Sequence, residues 1–165
     1  TNRRSDDYGG SFDNRARFLL ETVKAAREAW PEQFPLAVRI SATDWADGGW
    51  TLEDSLELAR RLKAAGVDLI DASAGGAIPD AGIPESRPGY QVPFSERIRA
   101  EAGIATAAVG MITDPMQAEA IVSKGRADIV LIGRESLRDP HWPLHAAQTL
   151  GVRRTFVPPQ YARAW

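Results

Sequence analysis

A chain of 165 residues with 44 % hydrophobic side chains is enough for one ordinary domain. Its 20 basic and 22 acidic side chains leave a formal net charge of −2, so no global field draws it to nucleic acid or an anionic membrane, and any anion site must be built locally. The absence of cysteine removes disulfides, thiolate metal sites and a cysteine nucleophile, and it fits a reducing, cytoplasmic setting.

No run approaches the roughly 20 apolar residues of a membrane span, and no signal-peptide pattern is present. Metal binding is poorly supported: His141 and His145 are the only imidazoles, Pro143 lies between them, and no third ligand is near in sequence. The opening "TNRRSDDYGG" is polar and turn-rich and lacks an initiator methionine, which predicts a piece of something longer.

From residue 11 the apolar spacing alternates between two modes. Ser11 is a good N-cap, and Phe12, Ala16, Leu19, Leu20, Val23, Ala26 and Trp30 recur at helical spacing until Pro31. "PLAVRIS" at 35–41 is a short strand. Thr51-Leu52-Glu53-Asp54 reads as a capping box, and the stripe Leu52, Leu56, Ala59, Leu62 ends at Gly66, a C′ residue. "VDLIDAS" at 67–73 is the second strand. A long loop over about 74–91 leads to a short helix at 93–102 and a third strand, "IATAAVG", at 104–110. Thr113-Asp114-Pro115 opens a helix that ends at Gly125, "ADIVLIG" at 127–133 is the fourth strand, and a helical stretch over about 135–150 is interrupted by Pro140 and Pro143.

The order is therefore one helix, four βα units over residues 1–151, and a tail over 152–165. Apolar strands alternating with amphipathic helices predict an α/β fold with a parallel sheet, its strands covered on both faces, and right-handed crossovers. Two architectures satisfy the pattern: a small doubly wound sheet, or half of a (β/α)8 barrel, whose full form needs roughly 250 residues. Half a barrel leaves two strand edges unpaired, a hazard unless something covers them.

In either architecture the functional rim lies at the carboxyl ends of the strands. The first strand delivers Arg39, Ser41, Thr43 and Asp44 there; the second delivers Asp71, Ser73, Gly75 and Gly76; the third Gly110; the fourth Gly133 and Arg134. Glycines at the last two tips allow close backbone approach, and Arg134 adds a charged fork of donors, the makings of a phosphate cradle. The bland alternatives are turn glycines and an ion pair from Arg134 to an acid such as Asp139. Arg39 sits inside a strand, where a charge is costly unless paired or functional. Asp44 and Asp71 read as capping or pairing groups, and Trp45 and Trp50 either line a site or cover the helix behind. No nucleophile elbow, P-loop or dinucleotide fingerprint is present.

With these residues in view, the chain resembles the C-terminal half of an Old Yellow Enzyme, a flavin-dependent ene-reductase, and is most similar to the thermophilic-like branch. The resemblance rests on "N-x-R-x-D-x-Y-G-G-S-x-x-N-R-x-R-F" from Asn2 to Phe18 and on "VRISATDW", "GVDLIDASAGG", "PGYQVPF", "AVGMITDP" and "ADIVLIGRESLRDP" in family order.

The resemblance implies the second half of a (β/α)8 TIM barrel holding FMN, reduced by NADPH or NADH, which passes hydride to an activated alkene. Carried over by position, Arg39 would sit against the N1/O2 edge of the flavin as the catalytic cation. Gly110, Gly133 and Arg134 would hold the FMN phosphate, with backbone contacts from Met111 and Ile112. In this branch a C-terminal arginine reaches a neighbouring subunit, which places Arg163 there, with Tyr161 and Trp165 beside it, and implies a homo-oligomer. The family's substrate-anchoring histidine pair and tyrosine proton donor lie upstream of Asn2. The expectation is thus a chain that needs an N-terminal half-barrel as partner. Two rivals stay open: a noncatalytic half-barrel that self-associates and at most binds phosphate, and a flavin-dependent dienoyl-CoA reductase, which predicts an iron–sulfur domain.

Overall fold

A computed structural model describes residues 2–79, 81–152, 158–161 and 163 of the chain. Helix α1 (Phe12–Ala29) starts where Ser11 accepts from the Asn14 amide and stops at Trp30 in extended conformation. Strand β1 (Ala37–Ser41) follows, then helix α2 (Leu52–Ala64) and strand β2 (Leu69–Ser73). The capping box forms as the sequence predicts: Thr51 accepts from the Asp54 amide, and the Asp54 carboxylate accepts from the Thr51 amide. Gly66 stands at C′ with φ +86°, the left-handed turn that lets the chain drop directly into β2.

Helix α3 (Val92–Ala102), strand β3 (Ala105–Ala108), helix α4 (Pro115–Ser123) and strand β4 (Ile129–Val130) complete the alternation. The proline-interrupted stretch splits into α5 (Arg134–Arg138) and α6 (Trp142–Thr149). Pro140 lies in the break, whereas Pro143 falls in the first turn of α6, where its missing N–H costs nothing. Beyond them, among the described residues, lies a 3-10 turn, Pro159–Tyr161.

The four strands are parallel and lie in the order β1-β2-β3-β4. That order separates the two architectures. A doubly wound sheet reverses direction and so places helices on both faces, whereas right-handed crossovers along an unreversed order put every helix on one face, as in consecutive units of a (β/α)8 barrel. The burial of β1 follows: Val38 and Ile40 are covered, while Ala37, Arg39 and Ser41 are exposed. The expectation of strands covered on both faces fails for β1, whereas β2 and β3 are buried on successive residues, Ile70, Asp71 and Ala72 and Thr106, Ala107 and Ala108.

The covered face holds the core. Val38, Ile40, Leu56, Leu62, Ile70 and Ile98 pack between β1, β2 and helices α1 to α3. A smaller cluster of Val92, Ala108, Ile112, Ala118 and Ile121 lies under β3 and α4. Each fully buried leucine or isoleucine contributes about 1.5–3 kcal/mol by leaving water.

The fourth strand is shorter than its apolar run. Residues 127–133 predict a full strand, yet only Ile129–Val130 pair as one, with Leu131 N–H still donating to the Ala108 carbonyl at 2.9 Å. Among the described residues β4 has a neighbour on one side alone, Ile129 is 47 % exposed, and Gly133 at ψ −93° leaves the extended conformation. Among the described residues no helix is long and apolar enough to cross a membrane.

The motif-rich segment before α1 folds on itself through side chains. Arg4 Nε donates to Asp6 Oδ1 at 2.9 Å, Tyr8 N–H donates to the same oxygen at 3.1 Å, and Asn2 Nδ2 donates to the Tyr8 carbonyl at 2.7 Å. The Arg4 guanidinium and then the Tyr8 amide hold the Asp6 carboxyl at about 2, well below the usual carboxylate range. A folded pKa below the unfolded one stabilises the turn above the unfolded value, and that contribution is lost as pH falls through about 2. A side-chain NMR titration is expected to place the Asp6 midpoint there and to return it to the ordinary range in Arg4→Gln; an unchanged midpoint in the variant would reject the pairing.

Candidate functional site

The tips of β1 to β4 converge on a cavity of about 350 Å3 whose wall includes Arg39, Gly110, Met111, Ile112, Gly133 and Arg134. These are the six residues that the family resemblance assigns to the cofactor, brought together from three separate βα units.

Arg39 stands on the bare face of β1, in register with Asp71 of β2. Its Nη1 donates to Asp71 Oδ2 at 2.7 Å and its Nη2 to Ser73 Oγ at 3.1 Å. The side chain is 58 % exposed, so the strand does not bury a charge, contrary to the cost expected from the sequence. Asp71 is the more enclosed partner, and its Oδ1 is buried without a hydrogen bond among the described residues. Asp71 is thus a pairing group, and Asp44 likewise accepts from the Trp50 amide at 2.8 Å. Trp50 stacks on Phe12, and Trp45 lies tilted against Phe94, so both cover the helices.

At the third tip the chain turns sharply. Gly110 has φ +126°, and a Cβ there would stand 3.3 Å from the Gln91 backbone nitrogen, which has no freedom to retreat. Gly89 N–H donates to the Gly110 carbonyl at 2.7 Å, tying the "PGY" turn to this tip. Met111 follows with φ 52° and is 38 % exposed, whereas the Ile112 side chain is buried in the smaller core cluster, leaving only its backbone for the cavity. Among the described residues no backbone carbonyl accepts from the N–H groups of Met111, Ile112 or Gly133.

At the fourth tip Arg134 pairs with no carboxylate among the described residues. Asp139, the acid named for it in the sequence, is taken by His145 Nδ1 at 2.6 Å, and that bond holds its carboxyl below the usual range. Arg138, also at the cavity wall, is occupied by Glu135 at 2.7 Å. Among the described residues Arg134 is therefore a cation with its donors available.

Sequence reading named Ser73 at a tip but missed Gln91. Gln91 is 4 % exposed, lines the cavity, and its Oε1 accepts from Ser73 Oγ at 2.9 Å and from the Ala74 amide. Its signal was a polar residue at the start of an amphipathic helix inside the quoted block "PGYQVPF". In the tail, Tyr161 is 57 % exposed and Arg163 is exposed; neither lines the cavity, and Trp165 lies outside the described residues.

Glycines, amides without a carbonyl acceptor and an arginine without a carboxylate partner, all among the described residues, thus stand together at adjoining strand tips. Residues 1–152 match the NADH:flavin oxidoreductase / NADH oxidase family. The chain belongs to that family. The chain is 52 % identical over all 165 residues to an NADPH dehydrogenase of Geobacillus thermodenitrificans and 50 % identical to one of Listeria monocytogenes, spanning 47 % of each. It thus spans about half the length of the curated relatives it matches. Among solved structures, a 2-naphthoyl-CoA reductase superposes with a TM-score of 0.80 at 34 % identity, over 92 % of this chain and 23 % of the other. A histamine dehydrogenase from Rhizobium sp. 4-9 superposes with a TM-score of 0.71 at 27 % identity, over 89 % of this chain and 22 % of that one.

Proposed function

We propose that this chain is the FMN-phosphate-binding half of an NADPH-driven ene-reductase and works together with an N-terminal half-barrel that completes the wall. The observation that carries this reading is the fourth tip, where Arg134 faces a cavity with no carboxylate partner among the described residues. The neighbouring residues fit a phosphate. Gly110 is shaped for a close approach, Gly133 has nothing within 4 Å of a Cβ position, and the Met111, Ile112 and Gly133 amides have no carbonyl acceptor among the described residues.

Bound FMN supplies the hydride chemistry between NADPH and an activated alkene. This chain's residues bind and orient: Arg134 and the tip amides hold the phosphate, and Arg39 contributes positive charge for the ring, its guanidinium held by Asp71 and Ser73. Carbonyl activation and proton delivery fall to the N-terminal half. In this reading residues 1–151 are the half-barrel, and the tail 152–165 carries Tyr161, Arg163 and Trp165 to a neighbouring subunit of a homo-oligomer. The names of the relatives support NADPH as reductant.

Titrating the chain with FMN while following flavin fluorescence tests the binding half of the reading; no quenching rejects it. Adding the N-terminal half and assaying NADPH-dependent reduction of cyclohexenone tests the rest, and bound flavin without activity rejects the split enzyme. The two open edges favour a second reading, a noncatalytic half-barrel that pairs with another copy. Light scattering that reports a flavin-free dimer would support it.

Arg39→Leu in the reassembled enzyme is expected to make the flavin harder to reduce by about 1–2 kcal/mol, less than a full preorganised charge because Asp71 at 2.7 Å cancels part of its field. Spectroelectrochemistry reads this directly, and an unchanged reduction potential would leave Arg39 as a structural ion pair.

A further inference from the structure

The polar groups at the strand tips form one continuous chain, and the direction of each hydrogen bond in it is forced. The Ala74 backbone N–H can only donate, so the carboxamide atom it meets on Gln91 must be the oxygen, Oε1. Arg39 can only donate as well, so Ser73 Oγ accepts from Nη2 and spends its single proton on Gln91 Oε1 at 2.9 Å. With Oε1 occupied by two donors, Gln91 Nε2 is turned the other way. It lies 3.2 Å from where a Gly110 Cβ would stand, on the cavity wall, and has no acceptor among the described residues. Gln91 is only 4 % exposed as a residue, and Nε2 is not among its buried unpartnered atoms, so what remains accessible of this donor opens to the cavity.

We propose that Gln91 is a positioning residue, which orients Arg39 through Ser73 and aims its free carboxamide N–H at an anionic oxygen bound beside Gly110. The inference rests on the phosphate-site reading above and deepens it. One buried side chain thereby couples the charge on β1 to the cradle at the end of β3, and the ligand class is a phosphate monoester carried on a larger body. The arrangement also discriminates by charge: at Nε2 a donor welcomes a phosphate oxygen, and an acceptor repels it.

Gln91→Glu separates this role from mere packing. The variant has almost the same shape and keeps an oxygen for Ser73 and Ala74, but it replaces the cavity-facing donor by a carboxylate oxygen. The expected result on the full chain is a fall in FMN affinity of about tenfold or more, the size of one lost charge-assisted hydrogen bond. Inorganic phosphate should weaken alongside it and riboflavin should change little. Part of the loss should return on lowering the pH far enough to protonate the introduced carboxylate, because the acid form restores a donor. A residue that only packs would show none of this pH recovery.

Unchanged FMN affinity in Gln91→Glu at neutral pH overturns the proposal while leaving the phosphate site standing. Failure of the unmodified chain to bind both FMN and phosphate overturns the phosphate site, and the proposal with it. Ser73→Ala adds no polar atom and serves if the glutamate variant does not fold. It should weaken FMN several-fold, with Ser73→Thr restoring most of the loss, and wild-type affinity in Ser73→Ala overturns the coupling.

Discussion

Replacing Arg134 by leucine is expected to weaken FMN binding by about 1.5–3 kcal/mol, roughly 10- to 150-fold, with the unfolding midpoint nearly unchanged. The separation of the two effects follows from the surroundings. Arg134 pairs with no carboxylate among the described residues, since Asp139 is engaged by His145 and Glu135 by Arg138. Its removal therefore strands no counter-charge in the folded chain, and only the ligand loses a partner. Arg134→Lys should recover part of the affinity, because the charge remains while the planar fork that matches two phosphate oxygens is lost. Isothermal titration with FMN at two salt concentrations checks this; a loss in the leucine variant that is independent of salt would reject a charge contact.

Gly110→Ala carries the second large effect, and it falls on stability and binding together. The left-handed φ of +126° and a Cβ placed 3.3 Å from the Gln91 backbone nitrogen leave the alanine no unstrained position. A strained residue of this kind costs about 1–3 kcal/mol, to be read from denaturant unfolding. The same shift would loosen the bond between Gly89 N–H and the Gly110 carbonyl, at 2.7 Å, and open the cradle. Gly133 is the control. It has nothing within 4 Å of a Cβ position and a negative φ of −94°, so Gly133→Ala meets no neighbour and should cost less stability than Gly110→Ala. A loss of FMN binding in that variant larger than its loss of stability then reports contact with the ligand. Equal stability of the Gly110 and Gly133 variants would contradict the strain argument.

The bare face that carries Arg39 connects these site predictions to the fold. In a complete barrel the inward side chains meet those of the opposite strands. Here the guanidinium rests on Asp71 and Ser73, while Asp71 Oδ1 stays buried without a hydrogen bond among the described residues.

Much of this molecule was legible in its sequence because the signals are local. Ser11, the Thr51 capping box and Gly66 act within a few residues of themselves, and the spacing of apolar residues sets helix or strand over a single turn or pleat. The strand-tip glycines and Arg134 were visible for the same reason: a parallel βα unit always presents its carboxyl end to the rim.

Strand order, by contrast, depends on which distant segments pair, and apolar content is the same for a reversed or an unreversed sheet; only the folded chain selected β1-β2-β3-β4 and so the one-sided placement of helices. The partner of Arg39 stands 32 residues away, the Gln91 contact to Ser73 spans 18, and β4 stops at two residues for want of a second neighbour among the described residues. Short-range periodicity therefore wrote the elements and the residue types at their tips. The pairs that leave Arg134 without a carboxylate among the described residues, Glu135 with Arg138 and Asp139 with His145, are local, whereas Arg39 with Asp71 and Ser73 with Gln91 were decided by long-range packing, because contacts between distant segments depend on distances that no local spacing encodes.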